Sequence, residues 1–361
     1  MNELIINKND LVHNINIIKN YEKEENYTIF AVVKGNAYGL GVNEFIKVLI
    51  DNGINNFAVA SSTEAINLRK NIKEKILLLT PYINEEILSD LIKNDITLTI
   101  DSLKGAGLVN EISKKLNKKV YAHIKIDTGL SRYGFDYKNY KEIIDMIKEN
   151  ENIIFEGIYS HFSNSLASDN SFSNIQYERL INVIEKIEKE KITFKYKHIC
   201  NSSGFFKYKD KHLNAARVGS AFSGCATGIK TDLKKIGLFH TKLTKVRNIK
   251  KGDYVGYANS YVAKRDMKIG ILETGYYDGV GLELITQRFK FKSRLKNALL
   301  SLIKGDNMTL NIDGKIINVI GQIGMHDVVI DITGLDYKED DDIYFYYRPV
   351  YINENVKRVY K

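Results

Sequence analysis

The sequence predicts an α/β fold, in which an N-terminal (β/α)8 TIM-type barrel is followed by a smaller, mostly β C-terminal domain. Three observations lead there. Up to about residue 220, eight short β-rich apolar runs alternate with longer stretches whose apolar residues fall near helical spacing. After Gly224 the apolar runs are separated by turn chemistry instead of helices. The length, 361 residues, suits one large domain or two ordinary ones.

In chain order, the expected strands are Thr28–Val33, Phe57–Ala60, Lys75–Leu79, Thr97–Ile100, Val120–Ile126, Ile153–Tyr159, Tyr196–Ile199 and Ala215–Val218. Between them, Val42–Asp51, Thr63–Asn71, Asn84–Lys93, Tyr140–Asn150 and Asn174–Glu190 read as amphipathic helices. Eight strands each followed by a helix favour a closed barrel over an open doubly wound sheet. Further on, Leu238–Val246, Met267–Leu272, Met308–Ile320 and Ile343–Tyr347 read as β, with turns at Gly252-Asp253 and Asp313-Gly314 and one helical excursion near Arg294–Lys304. The expected domains are residues 1–229 and 230–361.

Composition narrows the class. Hydrophobic residues at 44% and charged residues at 27% exclude a disordered or fibrous chain. The 53 basic and 44 acidic residues give a net charge of +9, but both signs are interspersed, so a solvated surface is expected and nucleic acid is not. Only Gln287 to Lys304 is locally basic. Cys200 and Cys225 have no metal-ligand spacing around them and read as packing groups, so no metal site is expected. No uncharged apolar stretch approaches the roughly 18 residues of a membrane span. A cytoplasmic protein with no membrane partner is expected.

In a barrel of this kind reactive groups sit where strands end. The first strand runs into Lys34, within Ala31-Val32-Val33-Lys34-Gly35-Asn36-Ala37-Tyr38-Gly39-Leu40-Gly41. The fifth carries Lys125 and leads through Asp127-Thr128-Gly129 to Arg132, and the sixth ends in Ser160-His161-Phe162. The seventh ends in Asn201-Ser202-Ser203 and the eighth in Arg217-Val218-Gly219-Ser220. Three glycines near Lys34 let backbone approach a ligand closely. Ser202 and Gly219-Ser220 stand where barrels often bind phosphate. A lysine with a phosphate cradle suggests pyridoxal phosphate.

These residues resemble the alanine racemase family, since Ala31–Gly41 is similar to its pyridoxal-phosphate attachment signature nearly position for position. The resemblance continues through Lys125–Gly134, Ser160-His161-Phe162, Asn201-Ser202-Ser203, Arg217-Val218-Gly219, Val255-Gly256-Tyr257, Gly275-Tyr276-Tyr277-Asp278-Gly279 and Gly321-Gln322-Ile323-Gly324-Met325. It implies racemisation of L- and D-alanine by two bases, Lys34 and Tyr257, with Lys34 also holding the cofactor. It further implies that Tyr38, Ser202, Gly219 and Ser220 bind phosphate beside Asn201, that His161 packs by the ring, and that Arg217 faces the ring nitrogen. Arg132, Tyr276 and Met325 would meet the substrate, and Lys125 would be carboxylated to orient Arg132. A homodimer would place Tyr257 of one subunit at the barrel of the other.

The chain departs from the family pattern in places. His326, Gln322 and Gly324 replace the usual Asp, Arg and Cys, the C-terminal phosphate-binding tyrosine falls near Glu354 or Asn355, and Gly279 to Gly321 is long. These changes leave a serine racemase as an alternative, because a pocket discriminates poorly against one added hydroxyl. A fold-related decarboxylase would lack Tyr257 and carry a cysteine after Cys225, and a single-barrel cofactor-binding protein would stop near residue 230. Asp278 reads as a turn residue.

Overall fold

A computed structural model describes residues 1–21, 27–166, 169–226, 229–282 and 308–361. The expected excursion at Arg294–Lys304, the basic segment Gln287–Lys304 and most of the long interval after Gly279 lie outside the described residues. The chain separates into two compact units, Asn9–Lys235 and Met1–Lys8 with Ile236–Lys361. The expected border at 229/230 thus lies six residues before the observed one, and the first eight residues join the second unit.

The chain begins with strand β1 (Glu3–Ile6) and helix Lys8–Tyr21. The first unit is built on eight parallel strands: β2 (Thr28–Val32), β3 (Asn56–Val59), β4 (Lys75–Leu78), β5 (Leu98–Ile100), β6 (Val120–Asp127), β8 (Ile153–Tyr159), β9 (Tyr196–His198) and β10 (Ala215–Val218), with the short β7 (Phe135–Asp136) beside β6. β10 returns to β2, and a parallel bridge between Leu77 and Thr97 joins β4 to the start of β5, closing the ring. Residues such as Phe30, Phe57, Ile76, Ile124 and Ile158 are fully buried, as expected when helices cover a parallel sheet.

The helices follow the predicted positions, at Val42–Asp51, Ser62–Arg69, Glu85–Lys93, Tyr140–Glu149 and Ser171–Glu188, and Leu103–Lys115 completes the series. Their starts are locally encoded. Ser61 caps the N–H of Glu64 while the Glu64 carboxylate returns to the Ser61 N–H, Asn84 caps Ile87, and Ser102 caps Gly105.

The second unit is antiparallel except where β1 lies parallel to the last strand. β11 (Leu238–Ile249) spans twelve residues and pairs with β1, with β18 (Asp342–Tyr346) and with β14 (Met267–Leu272). β14 continues to β17 (Val328–Asp331), β18 to the hairpin β15 (Thr309–Ile312) and β16 (Lys315–Asn318), and β1 to β19 (Lys357–Tyr360). The run Met308–Ile320 is therefore a hairpin with Asp313-Gly314 at its tip. A smaller hairpin, β12 (Tyr254–Val255) and β13 (Tyr261–Val262), carries Tyr257 in its loop.

Candidate active site

Immediately after β2 the chain makes a left-handed turn: Gly35, Asn36, Ala37 and Tyr38 have φ of +60°, +52°, +54° and +55°. Each L-residue so placed costs roughly 1–2 kcal/mol, so the surroundings must hold the turn. The Asn36 side chain accepts the Val42 N–H at 2.7 Å, and the Glu64 carboxylate accepts the Gly35 N–H at 2.6 Å and the Ala60 N–H at 2.9 Å. The turn starts at Lys34 and folds Tyr38 back against Gly219, where an added Cβ would lie 2.5 Å from the tyrosine hydroxyl oxygen.

Lys34, Tyr38, Lys125, Arg132, His161, Asn201, Ser202, Arg217, Gly219 and Ser220 all line one cavity of about 440 Å³ in the first unit. That size holds a small ligand. Its lining contains four cationic side chains, Lys34, Lys125, Arg132 and Arg217, and no carboxylate. The chamber therefore favours an anion. Ser202 accepts the N–H of Gly219 at 2.9 Å, and Asn201 caps the following turn by accepting the Gly204 N–H at 2.9 Å.

The electrostatics follow from crowding of positive groups in a buried space. Burial, and then Arg132, pull the Lys34 ammonium below its ordinary pKa, with Glu64 partly opposing them. Lys125 falls to about 7, chiefly through burial and then through Arg217 and Arg132, and its ammonium sits 4.9 Å over the Tyr159 ring. Burial lowers Arg217 to about 10, which leaves it cationic at neutral pH. It donates to the Ser160 carbonyl at 2.8 Å, faces His161 Nδ1 at 2.9 Å, and bonds His198 Nδ1. Burial and then Arg217 hold His161 well below the usual imidazole range, so its ring is neutral. Arg132 follows a loop organised by Asp127, whose carboxylate accepts the N–H groups of Gly129, Leu130 and Ser131.

The other three predicted residues lie in the second unit. Tyr257 is 69% exposed at the tip of its hairpin, and Tyr276 and Met325 are also exposed. Tyr276 donates its N–H to Gly324 and Tyr277 to Met325, while Gly256 packs on Gly321 and Gln322, so the three loops adjoin. His326 meets the Tyr277 ring with centroids 5.0 Å apart. Asp278 is buried and accepts from Thr274 and Asn2, which fits its reading as a turn residue. Cys200 and Cys225 are not joined by a disulfide, and no group of candidate metal ligands occurs among the described residues. Among them no helix is long and apolar enough to cross a membrane.

Sequence reading missed Tyr159, which lines the cavity and hydrogen-bonds Thr99 at 2.9 Å, and it missed His198 behind Arg217. Tyr159 directly precedes the Ser160-His161 pair, and His198 precedes Asn201 by three residues on β9. Position at a strand end was the available signal for both.

An alanine racemase N-terminal domain model matches residues 6–227, and an alanine racemase C-terminal domain model matches residues 237–355. Alanine racemase of Methanococcus maripaludis is 32% identical over 321 residues, covering 87% of this chain and 80% of that protein. Alanine racemase 1 of Caldanaerobacter subterraneus is 32% identical over 340 residues, covering 92% and 81%. Among solved structures, alanine racemase of Clostridium difficile 630 aligns with a TM-score of 0.87 at 28% identity, covering 100% of this chain and 95% of that one. The Bartonella henselae alanine racemase with covalently bound pyridoxal phosphate shares the fold, with a TM-score of 0.85 at 24% identity, covering 100% and 99%.

Proposed function

The chain belongs to the alanine racemase family, and from that premise we propose that it interconverts L- and D-alanine with pyridoxal 5'-phosphate bound in the barrel cavity. The observation that carries this reading is the chamber that joins Lys34 to three further cations without a carboxylate. A phosphate and a substrate carboxylate suit it, and the missing Cβ of Gly219 lets the Tyr38 ring and hydroxyl pack in at the phosphate end. Bound there, the cofactor supplies an electron sink that acidifies the Cα–H of an attached amino acid.

The protein's share is binding, orientation and proton movement. Lys34 holds the cofactor, and Tyr38, Ser202, Gly219 and Ser220 grip its phosphate beside Asn201. His161 is a neutral packing surface for the ring. Arg217 donates at any pH near neutrality, so the ring nitrogen stays an acceptor, which weakens the sink and favours return of the proton over side reactions. Inverting Cα needs a base on each face: one removes the proton while the other delivers one from the opposite side, so the proton count is unchanged. Lys34 Nζ serves one face and the hydroxyl of the partner subunit's Tyr257 the other. Arg132 meets the substrate carboxylate, with Tyr276 and Met325 at the approach.

Lys125 supports a carbamate. Its amine is held near neutrality in pKa, so the ammonium readily gives up one proton, and addition of carbon dioxide to the neutral amine with loss of a second proton replaces a crowding cation by an anion for Arg132. The same family reading makes the protein a cytoplasmic homodimer. Mixing the inactive variants Lys34→Ala and Tyr257→Phe tests the composite site. Random pairing gives mixed dimers in half the population, each with one intact site, so about one quarter of wild-type alanine racemisation returns. No recovery despite demonstrated subunit exchange rejects the shared site.

A further inference from the structure

Within the barrel, the proposed chemistry leaves unused a row of buried polar groups that ends at Arg217. Lys75 of β4 donates to Glu156 Oε1 of β8 at 2.5 Å, and Glu156 Oε1 lies 3.7 Å from His123 Nε2 of β6. His123 Nδ1 is 2.9 Å from His198 Nε2 of β9, and His198 Nδ1 meets Arg217 Nη1. Both rings are fully buried. His123 Nε2 makes no hydrogen bond, so Glu156 is its facing anion.

Two features of the sequence build this row. The register between β6 and β8 places Ala122 opposite Phe155 but His123 opposite Gly157, which makes Glu156 the extra residue of a β-bulge. Gly157 follows it because a Cβ there would lie 2.5 Å from the His123 ring. A bulge brings the carboxylate to the row, and a missing side chain admits the imidazole.

The direction of every proton then follows from what the end groups can do. An arginine N–H only donates, so His198 Nδ1 must accept and its proton sits on Nε2. That proton points to His123 Nδ1, which leaves the His123 proton on Nε2, facing the Glu156 carboxylate. A second proton on His123 would set two N–H groups face to face at the 2.9 Å contact, and a second proton on His198 would face the Arg217 N–H. Burial pulls both imidazoles below their ordinary pKa, in agreement. Without the carboxylate, the nearby ammonium of Lys75 favours the reverse order, with His123 Nε2 accepting and a proton on His198 Nδ1 colliding with Arg217.

We propose that Glu156, anchored by Lys75, is a positioning residue that fixes the tautomers of His123 and His198 and through them holds Arg217 as a donor in the cavity. The effect on turnover rests on the racemase reading, but the tautomers are observable without substrate. Long-range proton–nitrogen NMR of 15N-histidine-labelled holoenzyme should show the Nε2–H form for both rings. An Nδ1–H or doubly protonated ring in the wild-type protein overturns the proposal without any variant. Glu156→Gln should introduce Nδ1–H signal and lower kcat by about fivefold with KM little changed. Adding Lys75→Met to that variant should restore both, because the opposing charge is gone. Wild-type tautomers in Glu156→Gln with Lys75 intact reject the role of Glu156, and altered tautomers with an unchanged kcat reject the link to Arg217. A wild-type enzyme with the expected tautomers but no alanine racemisation would instead reject the racemase reading alone.

Discussion

At Lys125 the same residue serves stability and chemistry in opposite directions. Its pKa lies at about 7 against an ordinary 10.5, lowered by burial and then by Arg217 and Arg132. Below about 7 both the folded and the unfolded chain bind the proton, and the folded protein carries the full cost of a buried, crowded ammonium. Between about 7 and 10.5 the unfolded chain binds a proton that the folded one lacks, so stability rises with pH. In buffer stripped of carbon dioxide, Lys125→Met should gain roughly 2–4 kcal/mol near pH 6 and lose that advantage as the pH approaches 10. Bicarbonate added near pH 8 should stabilise the wild type, by carbamate formation in the folded state only, and leave Lys125→Met unaffected. Thermal unfolding across pH, with and without bicarbonate, checks both. Lys125 and Arg217 were legible in the sequence because they stand at or near strand ends beside recognisable turns. His123 and Glu156 were not. A polar residue inside a strand reads as solvent-facing, and the bulge that turns Glu156 inward leaves no mark in the composition.

The left-handed turn after β2 shows how an element sets the site. Gly35, in the turn after Lys34, and Gly219, in the cavity wall, are needed for different reasons. At Gly35 a Cβ meets nothing within 4 Å and pays only for φ of +60°, whereas at Gly219 it would strike Tyr38. Gly35→Ala should therefore lose about 1–2 kcal/mol of stability and keep cofactor affinity within about threefold. Gly219→Ala should weaken cofactor binding more than about tenfold with less effect on stability. Equilibrium dialysis of pyridoxal phosphate and denaturant unfolding separate the two, and equal losses of affinity would contradict this account. The barrel strands were visible in the sequence because helices bury their outer face, leaving nearly continuous apolar runs such as Lys75–Leu78 and Ala215–Val218. The strands β1 and β19 were not, since each has four residues and its pairing comes from segments hundreds of positions away.

On the scale of the whole molecule, β1 lies between β11 and β19, with Leu4 and Ile6 fully buried. Ile6→Ala should cost roughly 2–4 kcal/mol in the second unit. Hydrogen exchange should show amides of β11 and β18 losing protection while β2, β3 and β10 keep theirs. Uniform loss across both units would mean that they unfold as one. The placement of β1 also has a temporal side. A ribosome adds about 5–20 residues per second, so the segment Glu3–Ile6 emerges early and then waits tens of seconds for β19 to be made. During that interval residues Asn9–Lys235 are already available to close their barrel, and even once β11 has been made the first strand keeps an open edge on its β19 side, of the kind that invites aggregation. Slowing translation between β11 and β19 lengthens that exposure and should lower the yield of folded protein.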